Sequence, residues 1–399
     1  MDKKKGRVCV IGAGPSGLNV NVAFKMAQDR GEEIPEIVIF EKQESILGLW
    51  NYSWKTGVDD NGEPVHNTMY DHLYINGCKE LFEYHYYSYM DHWGRQTPSY
   101  PPRPAIRSYL EGRFKKFGEP KWIQLNTVVK NVVYEEDTQQ FRVTTRNYAV
   151  DKSERTSHFD YIICCTGHFS YPHLPDRPFY NNFTGSIIHA HDQRMFHNYK
   201  GKTIMVIGAN YSAEDIAQIS YKFGAKKIIC SYIREPLQWE WPEEFETKTL
   251  PTNIEGKKVY FEDGAVIEVD HIIICTGYNL NFPFMDPKIR LESKMMIVPD
   301  MLYKSLSLLS NNRVFYLGMQ AQPFTYLLTD VQSFYVRDII QGKIALPEAA
   351  AQQQWLQEWK ARQSNFKSKL DAARTQCEYM TELMSESDYP KKWDTNETL

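Results

Sequence analysis

What this chain lacks narrows its class quickly. No window approaches the roughly 18 consecutive apolar residues of a membrane-spanning helix, so no membrane anchor is expected. No CxxC pair occurs and no Cys/His grouping has zinc spacing, so no metal site is expected either. Cysteine is limited to seven, an odd number, and Cys164–Cys165 are adjacent at the end of an apolar run. That usage implies reduced thiols and an intracellular, cytoplasmic setting rather than a disulfide framework. A basic excess is absent as well. Lys and Arg number 46 against 50 Asp and Glu, and the net charge of −4 speaks against a nucleic-acid partner. The opening residues pass from charges straight into a short apolar run and glycines, without the longer apolar stretch of a secretory leader.

What is present is organised around 161–215. An apolar run, Tyr161–Cys165, closes on Thr166-Gly167, and a second, Thr203–Ile207, runs into Gly208. Finishing one nucleotide-binding unit and beginning another in mid-chain implies two nucleotides. The 399 residues suffice for two moderate cores.

The first unit opens with the strand Arg7–Ile11, followed by Gly12, Gly14, Pro15, Ser16 and Gly17 and a helical pattern to about Asp29. This is GxGxxG after a strand and before a helix, the context in which the motif carries weight. Gly12 permits the tight turn, Gly14 lets a pyrophosphate approach the backbone, and Gly17 lets helix and strand pack closely. The helix N-terminus favours the phosphate charge. A second strand, Glu36–Phe40, ends at Glu41, placed to accept hydrogen bonds from ribose hydroxyls. Gly48, Leu49 and Trp50 then suggest a turn against a flat ring; a surface loop stapled by one aromatic is the plainer reading.

Residues 53–104 carry little periodicity, and a long irregular stretch inside a compact domain is usually functional. Asn76-Gly77 is a turn dipeptide, and an Asn there is ordinarily structural. Tyr84, Tyr86, Tyr87 and Tyr89 fit either a pocket wall or a sheet surface. From Ile123 to Tyr161 the alternation predicts a hairpin or meander.

Between the glycine loops, Phe183, Gly185 and His189 are spaced as FxGxxxH. Gly208, Asn210, Tyr211, Ser212 and Ala213 form a degenerate second glycine loop, which opens a helix predicted over 213–223. Arg234 follows the next strand where an acid would select NAD, and an Arg there suits a 2′-phosphate. A second Cys275-Thr276-Gly277 turn echoes Cys165-Thr166-Gly167. The tail, 347–385, reads as helical with Trp355, Trp359, Phe366 and Leu370 on one stripe, a pattern of packing or subunit contact.

Taken together, over about residues 5–345, these motifs resemble the flavin-containing monooxygenases, and within them the soluble branch acting on tertiary amines, trimethylamine or a larger alkaloid-type amine. Leu47 stands where the family pattern has the first glycine of GGxW, Gln193 where it has an aromatic after FxGxxxH, and Ala321 where the amine branch has an acid. The resemblance implies an α/β fold of two Rossmann-like domains, an NADPH domain (169–277) inserted into an FAD domain (1–168 and 278–399). It implies NADPH transferring hydride to FAD, O2 forming a C4a-hydroperoxyflavin, and an amine or sulfide taking the distal oxygen. It sets Asn76 beside the flavin and Tyr211 beside the nicotinamide, and adds His66, Val128 and Gln320 to the cofactor contacts. It also implies a homo-oligomer. An NADPH oxidase or a flavin disulfide reductase is the alternative; the reductase needs a redox cysteine pair, for which Cys164–Cys165 is poorly suited.

Overall fold

Continuous apolar runs that stop at glycine become buried parallel strands, because both faces of such a strand must be covered. Arg7–Ile11, Glu36–Phe40, Thr203–Ile207 and His271–Ile274 form at the bounds their sequence suggests. Val8, Val10, Ile39, Ile162 and Ile163 are fully buried, each contributing about 1.5–3 kcal/mol. The structure, a computed structural model, describes residues 6–233, 235–237, 240–321 and 323–390. It divides into two units, one of Met1–Asn51, Gly77–His168 and Leu280–Leu399, the other of Tyr52–Asn76 and Phe169–Asn279.

In the first unit a seven-stranded sheet runs Leu302–Tyr303, Ser307–Leu308, Val314–Tyr316, Tyr161–Cys164, Arg7–Ile11, Glu36–Phe40, Ile123–Gln124. From Val314–Tyr316 onward the strands are parallel. Ile11 pairs with both Cys164 and Phe40, and Cys164 with Tyr316, so these carboxyl ends are level. Helices Pro15–Asp29, Arg103–Phe117 and Thr325–Ile340 belong to this unit. Thr127–Glu135, Gln140–Asn147 and Glu154–Phe159 form the expected antiparallel meander.

The four tyrosines gather in one aromatic cluster, and Tyr89 also lines a surface pocket with Lys79, Glu83 and Arg95. Tyr84, Tyr87 and Tyr89 are buried, and Tyr84 and Tyr89 stack on Tyr109. The Arg113 guanidinium lies 3.8 Å from the Tyr84 ring centre and bonds Tyr86 and Asp330. Cation–π attraction and a buried ion pair are what gather these rings. The tail is two helices, Ala349–Ser364 and Lys369–Glu386, broken where Ser368 and Asp371 form a capping box. The predicted stripe is therefore interrupted: Trp359 is buried, but Phe366 lies in the connection and Leu370 is exposed.

In the second unit five strands run Phe245–Lys248, Lys227–Ser231, Thr203–Ile207, His271–Ile274, Ser186–His189, all parallel. The helix starts two residues earlier than predicted, at Tyr211, and ends at Lys222. Tyr52–Asn76 belongs here rather than with the 1–168 stretch in which the sequence reading placed it. The cause is a set of contacts that leave no periodic trace. Arg194 donates to the carbonyls of Lys55 and Asn67, His66 packs on Tyr171, and the Tyr70 hydroxyl bonds Asp215.

Candidate functional site

The loop after Arg7–Ile11 is shaped by glycines that no other residue could replace. Gly12 has φ +100°, and a Cβ there would lie 2.7 Å from the Cys165 carbonyl oxygen. A Cβ on Gly17 would lie 1.9 Å from the Gly12 carbonyl oxygen, so helix and loop meet only through glycine. Gly14 differs: it caps the helix from an extended conformation, and its nearest neighbour is Gly48. Pro15 and Ser16 form the first helical positions. That helix has no side-chain cap and no acid in its first turn, so its leading N–H groups are left for an anion.

Glu41 sits directly below this loop and is 5% exposed. Its carboxylate accepts from Ala13 N at 2.7 Å and Gln43 N at 2.9 Å. Burial raises its pKa, while those amide donors oppose the shift. A carboxylate offers about four acceptor positions, so those the backbone amides leave unused can take a ribose hydroxyl. Uncapped helix, bare Gly14 and buried carboxylate together fit a dinucleotide.

Leu47 precedes the turn Gly48–Trp50 at φ 82°, a left-handed conformation that glycine adopts freely and leucine at a cost of about 1–2 kcal/mol. Leu47 thus holds a backbone conformation that favours glycine. Leu47 N donates to Ala13 O, tying this turn to the first loop, and Trp50 meets Tyr326 edge-on at 6.0 Å. Val128 lies at the start of the meander, paired with Arg146 and nearly buried. Gln320 is 2% exposed and follows the strand Val314–Tyr316. Its amide donates to Ile297 O at 2.7 Å and accepts from Gln332 at 3.0 Å. Sequence reading missed His168 and Gln332. His168 Nδ1 pairs with Gly318 O at 2.7 Å, and Gln332 Oε1 accepts from Gly318 N at 3.0 Å. The only sequence signal was the position of His168 just past the Thr166-Gly167 turn.

The second unit repeats the first loop with a difference. Gly208 has φ +138°, and a Cβ there would lie 2.4 Å from the Cys275 carbonyl oxygen. Asn210 caps the helix, its side chain accepting from Tyr211 N at 3.0 Å, and Ala213 is buried beneath it. Tyr211 and Ser212 are exposed, and Glu214 lies in the first turn. Part of this helix terminus is thus satisfied internally, unlike the first. Asn76 is exposed at the point where the chain leaves this unit for the other, and His66 lies against Tyr171. Arg234 falls outside the described residues. Gly185 is fixed by crowding, since a Cβ would lie 2.4 Å from Asp270 O. His189 ends its strand level with Ile274, its pKa depressed to about 4 chiefly by burial. The structure therefore gathers Gly12–Gly17, Glu41 and Gly48–Trp50 in one unit and Gly208–Ala213 in the other.

All seven cysteines are free. Cys164 and Cys165 are buried and their thiols are pushed far up by desolvation, so neither is a nucleophilic thiolate. Among the described residues no group of His, Cys, Asp and Glu could hold a metal, and no helix is long and apolar enough to cross a membrane.

Comparison with known proteins agrees with this geometry. Trimethylamine monooxygenase of Methylocella silvestris is 44% identical over 96% of this chain and 85% of its own length. That of Roseovarius nubinhibens is 45% identical over 96% and 86%. The crystal structure of Tmm from a Pelagibacter species superposes with a TM-score of 0.94 at 39% identity, covering 96% of this chain and 87% of that one. Residues 4–235 and 245–389 match the FMO-like pattern, described as flavin-binding monooxygenase-like, and the chain belongs to that family.

Proposed function

We propose that this FAD-dependent NADPH monooxygenase N-oxygenates small tertiary amines, trimethylamine foremost. The observation that carries the substrate class is 44–45% identity, over nearly the whole chain, to proteins named for trimethylamine. The balanced reaction takes amine, O2, NADPH and a proton to N-oxide, water and NADP+. Bound FAD supplies the redox chemistry, accepting hydride from NADPH and activating O2.

The chain's own groups bind, orient and exclude water. Gly12, Gly14, Pro15, Ser16, Gly17 and the uncapped helix would hold the FAD pyrophosphate, and Glu41 the ribose. Gly48, Leu49, Trp50, Val128 and Gln320 would complete that site. Gly208, Asn210, Ser212 and Ala213 would hold NADPH, with Arg234 on the 2′-phosphate and His66 a further contact. Asn76 and Tyr211 are assigned to orient the reacting groups. On this reading the first unit is the FAD domain and the second the inserted NADPH domain. The buried, protonated state of Cys164 and Cys165 argues against a disulfide reductase.

The test is stoichiometry. Trimethylamine N-oxide formed per NADPH oxidised should approach one, with little peroxide. Asn76→Ala should retain FAD and divert NADPH to peroxide; full coupling in that variant would refute the role of Asn76. Peroxide as the sole product of the unaltered protein would replace the monooxygenase reading with an oxidase.

A further inference from the structure

The turn Gly318–Ala321 stands at the carboxyl end of a parallel strand, where open α/β sheets bind their ligands. Leu317 N donates to Cys164 O, and Cys165 N to Ile11 O, so the turn and the Gly12 loop emerge from the same edge of one sheet. Polar groups of Gly318, Gln320 and Ala321 are claimed, and the last helix reaches one of them directly and another through Gln332. Gln376, fully buried, accepts from Phe324 N at 3.2 Å and donates to Ala321 O at 3.3 Å, holding both ends of one stretch. Tyr379, 1% exposed, accepts from Gln332 Nε2 at 2.9 Å and donates to Lys304 O at 2.8 Å. Gln332 Nε2 also donates to Gln320 Oε1, so the tyrosine fixes the amide that aims Gln320.

We propose that Gln376 and Tyr379 are positioning residues: helix Lys369–Glu386 sets the Gly318–Ala321 turn, and with it Gln320, against the FAD site. Packing alone does not require this chemistry. A helix that only covers a core presents apolar groups, whereas a buried amide and hydroxyl are costly unless their bonds are made. Here one of those bonds ends on Ala321 O, and another holds Gln332, whose amide bonds Gln320 and Gly318. The inference rests on the assignment of FAD to the first unit.

The experiment compares Tyr379→Phe and Gln376→Leu with Leu383→Ala, a fully buried apolar position on the same helix outside the network. FAD affinity of the apoprotein, the flavin absorbance bands and peroxide per NADPH are measured on each. Tyr379→Phe, which removes a single oxygen, should weaken FAD about fivefold, the equivalent of one neutral hydrogen bond, and displace the flavin bands. Peroxide per NADPH should rise at least about threefold in the same variant. Leu383→Ala should lower the melting temperature while FAD affinity, bands and coupling stay put. Unchanged FAD affinity and bands in both network variants overturn the inference, as does an equal change in Leu383→Ala. If the unaltered protein binds FAD but does not oxygenate trimethylamine, the substrate proposal fails, while FAD affinity and bands still judge the positioning role.

Discussion

Gly14 and Gly48 approach so closely that a Cβ on Gly48 would lie 3.1 Å from the Gly14 Cα. Two loops 34 residues apart thus meet backbone to backbone at the uncapped end of the first helix. Gly48 is also at φ 52°, where an L side chain is strained by about 1–2 kcal/mol. Gly48→Ala must therefore push the two loops apart. FAD binding should weaken about tenfold or more, read as flavin retained after dialysis. Undiminished retention would show that the approach serves packing alone.

Gly208 offers a sharper contrast. Its added Cβ would meet Cys275 O at 2.4 Å, and both atoms are anchored to the ends of adjacent parallel strands. Gly208→Ala should raise the KM for NADPH about tenfold or more while FAD content stays full. Gly224→Ala is the control, because φ +83° brings the same strain but only the Lys200 side chain at 3.4 Å. That variant should lose about 1–2 kcal/mol of stability without changing the KM. Equal KM changes in the two would assign the effect to strain rather than to loop geometry.

How far the sequence speaks depends on the kind of force involved. Thr203–Ile207 and His271–Ile274 were legible to the residue, because an apolar run closed by glycine has one stable use in a parallel sheet. The loop Gly12–Gly17 was legible for the same reason: backbone crowding leaves glycine no substitute. Tyr52–Asn76 was not, since Arg194 holds it through carbonyls at Lys55 and Asn67, and a carbonyl has no sequence identity. Gln376 and Tyr379 were hidden by their distance from Gln320. The left-handed backbone of Leu47 was not legible either, because a leucine does not announce φ 82°.

The pair Arg113–Asp330 is almost completely buried and ties helix Arg103–Phe117 to helix Thr325–Ile340. Arg113 also donates to Asn19 on the first helix at 2.8 Å, and Tyr389 donates to Asp330 at 2.9 Å. Removing one charge of such a pair strands the other, at a cost of about 3–5 kcal/mol. Asp330→Asn should therefore lower stability by that amount in urea at pH 7. Tyr389→Phe, losing one hydrogen bond to a charged group, should cost about 1.5–3 kcal/mol. Equal losses would mean that the ion pair is not what the helices depend on.

His168 makes the first unit sensitive to acid. Desolvation depresses its pKa from 6.5 to about 4, opposed only in part by its bond to Gly318 O. The unfolded chain thus takes up a proton through pH 6.5 that the folded chain refuses until about pH 4. Since the unfolded state binds more protons across this window, stability rises with pH within it. The contribution is complete above pH 6.5, declines as pH falls, and is gone once the folded imidazole itself protonates near pH 4. His189, depressed to about 4 by burial in the other unit, adds a second loss over the same range. His168→Asn removes the titration and can still offer an N–H toward Gly318 O. Urea midpoints at pH 7 and pH 5 should fall less in this variant than in the unaltered protein. Flavin release, followed by its fluorescence, should move to lower pH in parallel. An unchanged pH slope in His168→Asn would show that this imidazole is not the group refusing the proton.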